Sequence, residues 1–424
     1  MKMPFGYLKA GLRVVIANLL FASLAGCSLL EIKKQAEFAD TLASIHGSVE
    51  QQSTQQGPIY VALYRKLDSG FELVRKTVLG GNKKYEFVVE PGTYALGAFV
   101  DANNDGEYQV GEHASYLGVQ SAKPTPIELL AKSNVTSETL NIKGPIAVVT
   151  SADEQSGLPK IARNTGRVIA LDDPMFTQES AEMGLWRPID FVEQYGGGLM
   201  MLQAFDKNKI PVVFVHGISG SARSFEKIIA ALNKDEFQPW VLQYPSGLRL
   251  DAVSNYLKQG LDDLYVKYKF PRIMIVAHSM GGLMTRSFMM KYVEGKGAYQ
   301  IALGVTINSP LYGMDSAASG VKSSPIVVPA WRDLASNGEY VKRVSEWQWP
   351  KNIPYHLFFS YLPGEPSDGV IPMKSQLSLS LQDQAVAIHG FQGEHTGVLS
   401  DPEFTKRLTA IISRYGNSPK PQAP

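Results

Sequence analysis

A second cysteine is missing: Cys27 stands alone among 424 residues. No disulfide can form within the chain, so its stability has to come from packing. Any basic run is missing too, since 41 Lys and Arg face 40 Asp and Glu for a formal charge of +1. Lys2, Lys9 and Arg13 fall within the first 26 residues with no acid among them, which leaves the remainder near −2 (+1 − 3). A near-neutral body offers no electrostatic reason to expect nucleic acid as a partner. The amino end also lacks an apolar run of the roughly 20 residues that a spanning helix needs. Its apolar stretch, Val14 to Gly26, is too short. The length itself leaves room for two domains, each with its own core.

What the amino end does carry is a basic flank, that short apolar run, and Leu24-Ala25-Gly26-Cys27. This order marks a targeting segment that stands outside the fold. The four residues resemble the lipobox of bacterial lipoproteins. The resemblance implies a signal peptide over 1–26, lipid on the Cys27 thiol, cleavage before it and acylation of the new amino end. Several acyl chains would hold the chain to a membrane, since one alone anchors only marginally. Ser28 stands where an inner-membrane retention signal would place Asp, which implies a cell-envelope, outer-membrane location. An ordinary cleaved signal and a short anchor helix are the alternatives.

Residues 27–44 form a polar, helix-compatible tether. From Ile45 onward the hydrophobic period becomes two, with strand-like runs at Ile59–Tyr64, Phe71–Leu79, Tyr85–Val89 and Tyr94–Val100. Gly80-Gly81-Asn82 and Pro91-Gly92 punctuate them as turns. Closely spaced strands without helical stretches predict a small β-sandwich over 45–150. It resembles the transthyretin-like or carboxypeptidase-regulatory-like accessory domains of secreted enzymes. Residues 151–165 are a polar linker. Beyond it, near-continuous apolar runs predict strands buried on both faces: Ile210–Val215, Pro239–Tyr244, Arg272–Ala277, Ile301–Ile307, Tyr355–Tyr361 and Ala385–Ile388. Helical patterns at Ser224–Leu232, Asp251–Tyr268 and Leu283–Tyr292 alternate with them, which predicts an α/β domain over 166–416 with a mostly parallel sheet. A proline-rich tail, 417–424, closes the chain.

The sharpest chemical signal is Ile275-Val-Ala-His-Ser279-Met-Gly281-Gly282, an apolar strand running into a serine and then a helix-like stretch. A serine hydroxyl needs a base to become a nucleophile. A sharp strand-to-helix turn lifts it above the sheet and tolerates only small residues two before and two after, here Ala277 and Gly281. Upstream, Pro211-Val-Val-Phe-Val-His216-Gly217-Ile218-Ser219-Gly220 is a second strand ending in a glycine turn. Such a turn can aim a backbone N–H at a developing oxyanion. The Ile218 and Met280 amides are the candidate donors. His216 is then structural, and His278 is expected to point away from the site.

These segments resemble the α/β-hydrolase fold of lipase type, with Ala277 where the usual motif has Gly. In that fold the triad follows the order Ser, acid, His. Two late loops, each past a strand, fit: Ser367-Asp368-Gly369, and His389 to Gly397 with His395. The resemblance implies that Asp368 orients His395, which takes the Ser279 proton. Glu365 and Asp383 rival the acid, and His389 rivals the base. The stretch from Ser309 to Pro350 holds Trp331, Trp347, Trp349, Tyr312 and Tyr340. It is either a cap over an acyl pocket, at about 310–350, or core packing for extra helices. Thr306-Ile-Asn-Ser-Pro-Leu-Tyr-Gly313 with Ser367-Asp368-Gly369 resembles the lipase and inositol-deacylase-like branch. The likeness covers roughly 200–410 and speaks for fold and triad, not for substrate.

One motif stands apart. Asp101, Asn103, Asp105, Glu107 and Glu112, with Gly106 at the turn, follow the spacing of a calcium loop. The flanks are strand-like rather than helical, and a solvated turn rich in Asx side chains has the same composition. The resemblance as a whole implies a lipid-anchored esterase or lipase that needs no cofactor for catalysis, with structural calcium as a candidate. Its expected partners are an ester or lipid substrate and a membrane. Acyl transfer by the same triad, peptide hydrolysis and a non-catalytic binding module are the competing readings.

Overall fold

The computed structural model describes residues 29–68, 70–117, 126–146 and 163–417. Cys27, most of the 151–165 linker and the tail beyond Asn417 lie outside them. Residues 29–39 form helix α1. Its last residue, Ala39, sinks into a core built by the second half of the chain. Gln35 Oε1 accepts from the backbone N–H groups of Ile189 and Asp190 at 3.2 and 3.3 Å. Just past the helix, Asp40 pairs with Lys132 at 2.9 Å and Arg332 at 3.3 Å.

Strands β1 (Ala43–Gln51), β2 (Ile59–Leu67), β3 (Gly70–Val78), β4 (Lys84–Val89) and β5 (Gly92–Val100) come next. Short β6 (His113–Tyr116), β7 (Ile127–Leu129), β8 (Asn134–Thr136), β9 (Leu140–Ile142) and β10 (Gly144–Pro145) follow. One sheet has the order β4-β1-β8, with β9 also on β1; the other runs β10-β6-β5-β2-β3, with β7 on β5. Alternation does the sorting. Tyr85, Phe87 and Val89 of β4 turn inward with Ile45 of β1, and meet Val61, Leu63, Tyr94 and Leu96 of the second sheet in one shared core.

The second half opens with α2 (Gln178–Trp186), α3 (Pro188–Gln194) and strand β11 (Gly198–Met201). Then come β12 (Ile210–Val215), α4 (Glu226–Ala231), β13 (Phe237–Gln243), α5 (Leu250–Tyr268), β14 (Arg272–His278), α6 (Met280–Glu294) and β15 (Gln300–Ile307). Helices α7 (Asp315–Ser323), α8 (Pro329–Leu334) and α9 (Glu339–Glu346) precede β16 (Tyr355–Tyr361). Small α10 (Met373–Gln376) and α11 (Leu379–Gln382) lead to β17 (Ala387–Gln392) and the closing α12 (Pro402–Gly416). The seven-stranded sheet has the order β11-β13-β12-β14-β15-β16-β17. Only β11 is antiparallel to its neighbour. This is the mostly parallel α/β-hydrolase sheet. Its strands are apolar throughout because both faces are covered: Val213 and Val215 feed one cluster, Val212 and Phe214 the other.

The last strand departs from the sequence expectation. Pairing with β16 continues as far as Gln392 opposite Tyr361, so His389 lies within the strand rather than in the loop after it. At the sheet edge β17 alternates half-buried and exposed residues, and a search for continuous apolar runs stops too soon. The aromatics of the 310–350 segment divide. Trp349 stacks on Tyr355 at 4.6 Å and Tyr340 is buried, so these two are core, whereas Tyr312 is 38% exposed.

Candidate active site

Ser279 sits between β14 and α6 with φ 54° and ψ −129°. That conformation costs a non-glycine residue roughly 1–3 kcal/mol. The surroundings enforce it: Ser279 N–H donates to the Ile307 carbonyl at 2.8 Å. Helix α6 can pass close to β12 only because residue 281 has no side chain. A Cβ on Gly281 would stand 2.6 Å from the carbonyl oxygens of Val215 and His216. Gly217 is equally tight, since a Cβ there would approach the Ser279 Cβ to 2.7 Å.

The three residues read from the sequence are brought together. His395 Nε2 lies 2.9 Å from Ser279 Oγ, and its Nδ1 lies 2.7 Å from Asp368 Oδ2. Asp368 is 1% exposed and His395 8%. Protonated on Nδ1, the ring donates to the carboxylate and leaves Nε2 free to accept from the hydroxyl. The other Asp368 oxygen accepts from the N–H groups of Val370 and Ile371 at 2.9 and 2.6 Å. The main chain is tied as well, with His395 N–H on the Asp368 carbonyl at 2.9 Å. The rivals fall away: Glu365 and Asp383 are exposed, and His389 Nε2 is 2.9 Å from His356 Nδ1.

Of the two amides expected to face an oxyanion, that of Met280 follows Ser279 in the chain, and that of Ile218 follows Gly217, which packs against Ser279. Met280 is the first residue of α6, where helical N–H groups have no partner within the helix and the dipole is positive. Ile218 lies in a turn closed by the Gly220 N–H on the Gly217 carbonyl at 3.1 Å, followed by Ser219 N–H on Ser246 Oγ at 3.0 Å. Neither amide meets an acceptor among the described residues.

His216 is buried and turned into the fold. Its ring stacks on Tyr244 at 4.2 Å, Nδ1 donates to the Gly217 carbonyl at 2.8 Å, and burial pulls it down to about 4. His278 corrects the sequence reading. Instead of pointing away, it donates from Nε2 to the His395 carbonyl at 3.0 Å, its ring 4.8 Å from that of His395. Burial, and then the neighbouring His395, bring it down to about 3, so it stays neutral. Asn308 was missed altogether. Fully buried, with φ 47° at the end of β15, it donates from Nδ2 to the same carbonyl at 2.9 Å. The signal available was an Asn directly after a strand, one of the few non-glycine residues that tolerate positive φ.

The acidic loop of the first half is turned inward upon its own backbone. Asp101 accepts from the N–H groups of Asp105 and Gly106 at 3.1 and 2.8 Å. Glu112 accepts from Ala102 and Gln109 at 2.8 and 2.9 Å. Asn103 accepts from Asp105 N–H at 3.0 Å, Asp105 accepts from Glu107 N–H at 2.7 Å, and Glu107 pairs with Lys76 at 2.7 Å. Among the described residues no group of three or more His, Cys, Asp or Glu is placed to hold a metal ion. The residues as arranged do not fit the candidate calcium site, because their oxygens are spent on separate N–H groups rather than on a common centre.

A protein-family model described as an alpha/beta hydrolase of unknown function (DUF915) matches residues 248–395, about a third of the chain and the stretch that holds Ser279, Asp368 and His395. No curated protein matches. Among solved structures, similarity is found to the lin2722 product of Listeria innocua, at 18% identity and TM-score 0.38, over 49% of this chain and 94% of that one. A second is Bacillus licheniformis lipase BlEst2 in mature form, at 16% and 0.39, over 49% and 93%. A third is the putative cell surface hydrolase of Lactobacillus plantarum WCFS1, at 20% and 0.33, over 49% and 91%.

Proposed function

We propose that this chain is a serine hydrolase that cleaves carboxylic esters, acyl-lipid-like ones among them, while held in the cell envelope by lipid on Cys27. The observation that carries the catalytic part is the unbroken line from Asp368 through His395 to Ser279, at 2.7 and 2.9 Å, beside the Met280 N–H at the start of α6. A binding scaffold has no need of a strained serine aligned on a buried histidine and carboxylate.

In this reading His395 takes the Ser279 proton as the hydroxyl oxygen attacks the ester carbonyl carbon. The Ile218 and Met280 amides receive the oxyanion. Collapse of the tetrahedral intermediate breaks the bond to the alcohol oxygen, which leaves with the proton from His395. Water, deprotonated by His395, then attacks the acyl-enzyme and returns Ser279. Asp368 holds the imidazole in the required tautomer and balances its charge while it is protonated. No step draws on a metal or cofactor.

The test is hydrolysis of p-nitrophenyl esters from short to long acyl chains, and of a matched amide, by the full chain in detergent micelles. Ester cleavage that drops by about three orders of magnitude or more in Ser279→Ala supports the proposal. A folded wild type as inert as the variant on every ester would hand the site to the binding-module reading.

A further inference from the structure

Helices α1 and α2 meet at a groove of about 410 Å³, its apolar wall formed by Leu29, Ile32, Met183, Trp186 and Ile326 and its rim carrying Glu179, Glu182 and Arg187. Beside it Leu29 and Leu30 are 56% and 55% exposed, and Trp186 is 39% exposed. Trp186 also packs edge-on against Trp331 of α8, ring centres 6.0 Å apart. Solvated leucines and a half-exposed tryptophan on one face mark a contact surface rather than scattered apolar residues.

The groove lies on the same side of the sheet as Ser279. Gly247, just beyond the carboxyl end of β13, donates its N–H to the Gly184 carbonyl of α2 at 2.9 Å and accepts from Ala330 N–H of α8 at 3.1 Å. Its neighbour Ser246 accepts from Ser219 N–H, beyond the end of β12, at 3.0 Å. Ser279 follows β14, which runs parallel to β12. Helices α2 and α8 are therefore bonded to the loop at the carboxyl end of β13, and α1 borders α2 across the groove.

The position along the chain names the occupant. Leu29 comes two residues after Cys27, so at most roughly 7 Å of backbone separates their Cα atoms. Acyl groups on Cys27 thus start within reach of the groove. The apolar phase nearest to it is lipid. A second copy of the chain is a poorer fit, because a stable interface takes roughly 20–30 residues a side, against the eight that line this groove.

We propose that Leu29, Leu30, Trp186 and the groove sit in the boundary between headgroups and acyl chains, so that the bilayer covers the side of the sheet on which Ser279 opens. This rests on the envelope-anchor reading above. Lipid on one residue holds a protein to a membrane but leaves it free to turn, whereas a second apolar contact beside the anchor sets its orientation. Tryptophan suits that depth, with an apolar body and one polar N–H. The site would then take its ester from the membrane that holds the chain.

The experiment uses the full chain in phosphatidylethanolamine and phosphatidylglycerol vesicles. Lipid occupies the sole native cysteine, so a nitroxide label goes only to an introduced one: Leu30→Cys or Ile326→Cys, with Val110→Cys and Val386→Cys as controls. The control positions are 86% and 62% exposed, and Val386 lies at the amino end of β17, away from Ser279. The expected result is labels at 30 and 326 open to oxygen and shielded from a water-soluble nickel chelate by about tenfold relative to the controls. Equal access at all four positions overturns the proposal. So does dipolar broadening between labels at 30 or 326, which would mean contact between copies. A chain that washes off the vesicles in salt removes the anchor and the proposal with it. Ester hydrolysis by the same four variants reports on the catalytic reading separately.

Discussion

His278 holds His395 by its main chain: the Nε2–H of the residue next to Ser279 donates to the carbonyl of the residue that faces that serine, at 3.0 Å. Asn308 donates to the same oxygen at 2.9 Å. The position of the His395 ring is therefore set from β14 and β15 as well as from its own loop. His278→Ala and Asn308→Leu should each lower kcat about 100-fold through misplacement of the ring, with KM little changed. Steady-state kinetics on a short soluble ester, with circular dichroism to verify folding, checks this. Unchanged kcat in both folded variants would reduce the pair to packing.

Asp368→Asn keeps the size of the side chain and removes its charge. An amide can donate to Nδ1 and so favour the tautomer with its proton on Nε2, which cannot accept from Ser279. The expected loss is about 10⁴-fold in kcat with thermal stability nearly intact. Activity within tenfold of wild type would point to another acid.

Stability should respond to pH from two directions. Burial draws His216 down to about 4 and His278 to about 3 from an ordinary value of 6.5. The unfolded chain then binds more protons over that window, so stability is full above pH 6.5 and is lost as pH falls towards 4 and 3. Asp263 runs the other way. Burial raises it to about 7 against the pull of Arg75, so its contribution is present at low pH and lost as pH rises through 7. Melting curves from pH 4 to 8.5 should show His216→Gln flattening the acid limb. Asp263→Asn should raise Tm at pH 8 more than at pH 5. The reverse ordering for Asp263→Asn would mean that its carboxyl is ionised throughout.

Asp333 closes the amino end of α5 from the neighbouring α8. Its Oδ2 accepts from Leu250 N–H at 2.6 Å and its Oδ1 pairs with Arg249 at 2.7 Å, with no exposure of its own. Since Arg249 is partly solvated, the capping bond carries most of the effect. Asp333→Ala should cost about 2 kcal/mol, read from urea unfolding. A loss below about 0.5 kcal/mol would show that the helix end finds other partners.

The parts of the site that chemistry makes obligatory were legible in the sequence. Ser279 between Ala277 and Gly281, a carboxylate and a histidine on later strand-end loops, and a glycine turn after β12 each answer a requirement of the proposed reaction or of the strand-to-helix turn. Strands β12 to β16 were legible because burial on both faces leaves long apolar runs. What escaped depends on tertiary neighbours. Strand β11 is four residues long and carries no period. Strand β17 is half-covered, so its pattern fades midway. The roles of His278 and Asn308 exist only because two strands bring them beneath one carbonyl contributed by residue 395. The 101–112 loop reads two ways: its spacing suits a cation, and the same oxygens serve a chain of Asx turns.

Helix α1 has a consequence for the order of assembly. It is early in the chain, yet Gln35 waits for Ile189 and Asp190, and Asp40 for Arg332. Nearly 300 residues must be delivered before the last of these partners arrives. The segment next to the expected anchor thus cannot lock before the chain has grown past Arg332.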